Sequence, residues 1–490
     1  MAVRGLLFLV LGVAALLPWN ALITEVQFFQ HRLCGHTLRE SFLKLVTVVY
    51  LLCDVAAATA LLFTLHAFTE GMLVVGPLLK SVLGFSLMAA LAVLPQIQGE
   101  AFVGITLWVV ILSGLIKSLL VAGCAALANR IGTAVDTSMF LSGMAAAGVA
   151  TSLASLVTTA AIPQPEDFCA SSLSGASHDN TSGSSQAGAT GQKPNISGGD
   201  DEQCPAQRVV LNALFYFLSA VGISLLGVAV YFYLSRMREP ERQHEHHHHH
   251  HHHNHNHHHQ HQHHQYPRQH RQSGPSPKHG RLPRRETADE EEAGSDFDHD
   301  DHDEERQATK PSSICRLIAQ LHQHLAAITI CTIASLMVFP SVIAVIHSGH
   351  RCDPSYSRFR DDLFTPSLFL SFNLADLLGR AVAGNVDQVG PRTLLMASLG
   401  RILLLPAIWA CNVPSSYVPT ILSHDFFPFS LTFMLGLSNG FIVCACFTGA
   451  PGRVSKANQG LASTIMIFGL NLGLLGGSAL SFASMRGVPE

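Results

Sequence analysis

The run Phe372-Asn373-Leu374-Ala375-Asp376-Leu377-Leu378-Gly379-Arg380 sets a carboxylate and a guanidinium four residues apart inside an apolar stretch. On a helix that spacing puts both on one face. There they partly neutralise each other and keep acceptors and donors for a polar ligand. Asn373 adds an amide one turn earlier. Three acidic residues in otherwise apolar segments, Glu25, Asp54 and Asp376, are candidate proton carriers, because burial favours the protonated carboxyl. Lys117 is another buried charge. Lys80 is expected to run its stem along apolar surface to the interface.

The elements that hold these groups follow from composition. The chain has 490 residues, of which 48% are hydrophobic and 13% charged, and its mean hydropathy is +0.29. The stretch from Met237 to Ser313 alone carries 10 Lys/Arg, 15 Asp/Glu and 20 of the 29 histidines. The other 413 positions keep 20 basic and 19 acidic residues, about a third of the usual density. Long apolar runs at so low a charge predict a polytopic, all-α membrane protein and exclude a soluble enzyme or a binder of nucleic acid polymers. Eleven spans are predicted, near 5–27, 42–66, 71–95, 101–128, 132–161, 209–235, 324–346, 364–385, 393–412, 426–448 and 460–483. The first is too long for a cleaved leader and lacks a small-residue cleavage site. Small residues crowd the fifth (Ser142, Gly143, Gly148) and the eleventh (Gly469, Gly473, Gly476, Gly477), marking them as closely packed helices.

The spans divide six and five. Residues 1–236 form an N-terminal bundle, 237–313 a disordered His-rich and acidic loop, and 314–490 a C-terminal bundle. The loop 162–207 within the first bundle carries two glycosylation sequons, at Asn180 and Asn195, and Cys169 and Cys204 near its ends, a candidate disulfide. Sequons and disulfides belong to an extracellular or lumenal face, which puts the His-rich loop on the cytoplasmic side. Arg236, Arg238, Arg242, Arg306, Lys310 and Arg316 flank that loop as the positive-inside tendency requires. This topology sets a short N-terminus inside and the C-terminus outside.

The Phe-Asn-x-x-Asp-x-x-Gly-Arg run resembles the signature of the equilibrative nucleoside transporter family. Pro18-Trp19-Asn20 with Phe28-Phe29 and Arg32-Leu33 resembles the family's opening motif, and Ser142-Gly143 with Gly148 its fifth span. Phe339-Pro340 resembles its seventh, Arg401 its ninth and Ser438-Asn439-Gly440 its tenth. The resemblance covers both membrane halves and neither large loop. It implies a major-facilitator-like arrangement of two bundles that carries nucleosides or nucleobases by alternating access. It also implies substrate contacts at Trp19, Asn20, Ile23, Asn373, Asp376 and Arg380. Two positions depart from the family. Ala122 stands where many members have a base-contacting glutamine, and Ser142-Gly143-Met144-Ala145 replaces Ser-Gly-Gln-Gly. Both put substrate selectivity in question, and a nucleobase specialist close to the protozoan carriers suits the unusual loops.

The histidines of 244–264, with the acidic run that follows, suit weak Zn²⁺ binding. A divalent-metal transporter is therefore the competing reading. It requires ligand sets inside the spans, and no span core holds a His-x-x-x-Asp or His-Glu-x-x-His pattern; His322 and His324 are placed at the entrance of the seventh span. No resident metal or cofactor is expected. Nor is there a phosphate-binding loop or a nucleophile elbow, so neither an enzyme nor an ATP-driven pump is expected. The host membrane is expected to be the plasma membrane, with a lysosomal or other endomembrane as the alternative.

Overall fold

The computed structural model describes residues 2–34, 36–39, 41–161, 207–237, 311–353, 358–386, 389–414 and 418–484. The first half supplies α1 (Ala2–Thr24), a short α2 (Val26–Arg32), α3 (Phe42–Thr64), α4 (Glu70–Val93), α5 (Gly99–Ile131), α6 (Ala134–Ala161) and α7 (Gln207–Met237). The second supplies α8 (Pro311–Val338), a single turn α9 (Ser341–Ala344), α10 (Phe364–Asn385), α11 (Pro391–Gly400), α12 (Leu404–Trp409), α13 (Phe426–Gly449) and α14 (Gln459–Ser484). A 3₁₀ turn at Arg401–Leu403 joins α11 to α12, so the ninth predicted span is one interrupted helix.

Ten of these segments are long and apolar enough to cross a membrane. The eighth predicted span, α10, falls short of that measure, because Asn373, Asp376 and Arg380 lower its hydropathy. The protein is thus an all-α, multi-pass membrane protein. Most boundaries fall within a few residues of the sequence expectation, and two differences bear on the candidate residues. The first helix stops at Thr24, and Glu25 sits at a corner leading into α2. The seventh begins at Pro311, 13 residues before the predicted span, because its first turns are amphipathic. His322 and His324 therefore lie inside α8, not at its entrance, and His324 is buried.

Helices approach most closely where glycine leaves room. A side chain at Gly12 would run into the Phe140 carbonyl, and one at Gly143 into that of Leu9, which fixes the α1–α6 crossing. Gly436, Gly379 and Gly440 do the same for α10 and α13, whose backbones meet at Phe372, Leu437 and Asp376. Without a hydrophobic drive between helices in lipid, such close backbone packing supplies the association energy.

The apolar core differs between the two faces. Toward the end where α7 stops and α8 starts, Phe8, Leu120, Phe140, Leu321, Ile442, Phe447 and Ile465 from both halves join one cluster. Toward the opposite face the core divides. Phe28, Phe29, Phe42, Phe102 and Phe217 belong to the first half, and Val338, Ile343, Phe364, Phe372 and Ile408 to the second. On that opposite face Cys34 and Cys352 are disulfide-bonded, which suits an oxidising compartment.

Candidate functional site

The polar face of α10 looks at α6 on one side and α13 on the other. Arg380 Nε donates to Asp376 Oδ2 at 3.0 Å, and its Nη2 lies 3.0 Å from the same oxygen. Its Nη1 reaches across to the Leu141 carbonyl of α6 at 2.9 Å. Asn439 Nδ2, from α13, donates to Asp376 Oδ1 at 2.7 Å. Both charged residues are buried, at 5% and 8% exposure. Paired charges of this kind persist in low dielectric only with their remaining valences satisfied.

The chain of bonds continues. Asn439 Oδ1 accepts from Ser335 Oγ at 2.7 Å, and Arg401 Nη2 donates to Ser335 Oγ at 2.8 Å and to the Leu435 carbonyl at 2.9 Å. One connected polar network therefore runs from α6 through α10 and α13 to α8 and the 3₁₀ turn. It ties the Asp-Arg pair to Asn439 and Arg401, residues that the sequence offered only as isolated motif matches. Asn373, one turn from Asp376, donates to Ser152 Oγ of α6 at 2.7 Å, and Gly148 leaves room for its amide.

Trp19, Asn20 and Ile23 occupy the last turns of α1, half-buried. The Trp19 indole stacks on Tyr50 of α3, with centroids 3.6 Å apart at 15°. The Asn20 Nδ2 atom is buried without a hydrogen-bond partner, a donor that a ligand acceptor would satisfy. The helix α6 packs against both α1 and α10, so it is the common wall between the aromatic group and the charged pair.

A second polar cluster crosses between the halves, and sequence reading saw only its separate members. Asp54 of α3 is not a lone acid: Lys117 Nζ of α5 pairs with its Oδ2, and Ser118 Oγ donates to its Oδ1. Lys117 Nζ also donates to Asn471 Oδ1 of α14 at 3.1 Å, and Asn471 Nδ2 donates to Ser118 Oγ at 2.8 Å. Exposure of the four is at most 6%. Two unmatched charges of opposite sign in apolar spans were the signal; the isolated amide of α14 gave the third corner. Lys80, by contrast, is exposed as expected.

Glu25 is buried at the α1–α2 corner and has no ionic partner among the described residues. No group of three His, Cys, Asp or Glu is arranged to hold a metal ion among the described residues. Asn180, Asn195, Cys169, Cys204 and the His-rich stretch lie outside those residues.

The arrangement places hydrogen-bond donors and acceptors where the two helical halves meet. The chain is similar to known transporters over most of its length. The family profile described as "Nucleoside transporter" matches residues 203–485. Rat equilibrative nucleoside transporter 1 is 25% identical over 513 residues, covering 97% of this chain and 95% of that one. Human equilibrative nucleoside transporter 2 is 26% identical over 507 residues, with 98% and 96% covered. Rat equilibrative nucleoside transporter 3 is 34% identical over a shorter stretch of 149 residues. Among solved structures, the Major Facilitator Superfamily transporter FucP in its outward conformation aligns over 99% of this chain and 97% of its own. The TM-score is 0.48 and the identity 11%.

Proposed function

Because the chain belongs to the nucleoside transporter family, we propose that it carries nucleosides across its membrane by alternating access between its two helical halves. The observation that carries the site assignment is the buried Asp376–Arg380 pair, bonded to α13 through Asn439 and to α6 through the Leu141 carbonyl. A ligand that bonds to this pair feels both halves at once. Such a midplane site between bundles is where carriers bind their substrates. Asp376 accepts from ribose hydroxyls and Arg380 donates to them, while Asn373 and Asn20 supply further amide contacts. Trp19 and Ile23 offer a flat aromatic and an aliphatic wall to the base. Family membership favours this reading over a metal carrier.

The experiment is uptake of radiolabelled adenosine, uridine and hypoxanthine into transport-deficient cells. Asp376→Asn and Arg380→Leu are compared at matched surface expression. Each is expected to cut nucleoside uptake at least tenfold, the loss that follows from stranding one member of a buried pair. Purines and pyrimidines that all stay at background with the unaltered protein would sink the reading.

Proton coupling belongs to the same proposal. Asp54 and Asp376 are ion-paired, so Glu25 is the carboxyl best placed to take up a proton. Nucleobases as cargo, weak zinc binding by the His-rich stretch, glycosylation at Asn180 and Asn195, and residence in the plasma membrane stand as further parts of the proposal.

A further inference from the structure

The Asp54–Lys117–Ser118–Asn471 quartet has a feature that a structural tie does not need. Three of its members belong to the first half and are bonded among themselves; only Asn471 comes from the second. Lys117 is an ammonium and can only donate, so the Asn471 atom facing it is the carbonyl oxygen. Ser118 has a single proton, committed to Asp54 Oδ1, so toward Asn471 it can only accept. Asp54 thus orients a fixed pair on α5: one donor, Lys117 Nζ, beside one acceptor, Ser118 Oγ. The group seated on that pair is a carboxamide, an oxygen acceptor flanked by an N–H donor.

Every common nucleobase carries the same motif on one edge. Adenine offers N1 beside its 6-amino group, hypoxanthine and uracil a carbonyl beside a ring N–H, and cytosine N3 beside its 4-amino group. The surroundings suit a base as well. Tyr50 lies one helical turn from Asp54 on α3, roughly 5–6 Å along the helix, and carries the Trp19 stack. Leu474 and Leu475 of α14 pack over the apolar cluster that Trp19 joins, so α14 covers the aromatic shelf and the polar pair together. All four residues lie near the middle of their helices. Apolar residues of equal volume would hold this seam as firmly as a buried ion pair does.

We propose that Lys117 and Ser118 are the base-reading edge of the substrate site, and that the Asn471 carboxamide occupies this edge in place of a nucleobase while α14 lies against α3 and α5. The inference rests on the nucleoside reading above and deepens it. It gives the carrier breadth across natural bases, because all share the acceptor–donor pair. It also gives discrimination against a base that lacks the donor.

Purine riboside, which keeps N1 and the shape of adenosine but has no 6-amino group, is the probe. In proteoliposomes holding the full-length protein, adenosine is expected to show a KM about tenfold below that of purine riboside, the worth of one hydrogen bond at a buried site. Ser118→Ala is expected to bring the two KM values within about twofold of each other. Asn471→Leu, which removes the built-in occupant, is expected to keep the tenfold ratio and lower the KM for adenosine. A purely structural tie predicts instead that Ser118→Ala shifts both substrates equally; that outcome overturns the inference, and leaves nucleoside transport standing. If Ser118→Ala does not reach the membrane, the unaltered protein decides: equal KM values for adenosine and purine riboside overturn the base-reading edge. No flux of either nucleoside overturns the nucleoside reading and the inference with it.

Discussion

At the scale of single residues, ionisable groups inside the helices divide by partnership. Asp376 and Arg380 satisfy each other and are further held by Asn439 and Leu141; Asp54 and Lys117 do the same with Ser118 and Asn471. The first pair could be read from i, i+4 spacing on one helix. The second could not, because its members come from different helices and only the fold brings them within reach. Glu25 is left without an ionic partner among the described residues, at a corner between two helices. Burial penalises its charged form, so a proton taken up from one side would be its natural counter-charge. If it couples transport to protons, uptake rises as external pH falls from about 8 to about 5, a window that brackets a carboxyl shifted upward. A protonophore would then reduce uptake, and Glu25→Gln would flatten the pH profile. Uptake in the unaltered protein that ignores both pH and protonophore would rule coupling out.

Elements tell a different story, in which glycines outrank charges. The α10–α13 crossing depends on Gly436, Gly379 and Gly440, each facing backbone of the neighbouring helix. Gly440→Val should force the helices apart, cost about 2 kcal/mol or more, and lower the melting temperature in detergent. It should also lengthen the Asn439–Asp376 bond beside it and depress uptake. Gly104→Ala on α5 meets nothing within 4 Å and should change stability by less than about 1 kcal/mol. Equal melting temperatures for the two variants would remove the crossing from the account. Long apolar runs located the eleven segments, since burial in lipid demands them, although the polar groups of α10 leave it below the hydropathy of the other ten. They could not locate the ends of α8, whose first turns are amphipathic, nor the break at Arg401, where a side chain bonds into the core and the helix tightens. The sense of packing, α6 between α1 and α10, also escaped the pattern of apolar residues, because small residues mark a close contact without naming the partner.

Taken whole, the molecule joins its halves in one apolar core toward the α7–α8 face, and toward the other the buried core divides into one cluster per half. Among the described residues, polar bridges between the halves include α6 with α10, α5 with α14, and Arg358 with the Thr159 and Ala160 carbonyls of α6. The family resemblance and the low charge outside 237–313 were visible in the sequence because both are one-dimensional; the division of the core was not. Replacing 244–264 by a Gly/Ser linker of equal length should leave uptake within about twofold at matched surface expression, since such linkers mainly set reach. Complete loss of uptake would show that the stretch acts on transport. The chain also contains only 3 tryptophans. Trp108 is 58% exposed on the outer surface of α5, Trp409 closes α12, and Trp19 alone is stacked on a tyrosine. With Trp108 and Trp409 replaced by phenylalanine, Trp19 becomes the single tryptophan, and excitation at the red edge, where the 7 tyrosines barely absorb, selects its indole. Its brightness and colour then report, without any added dye, each moment at which a substrate or a helix movement parts it from Tyr50.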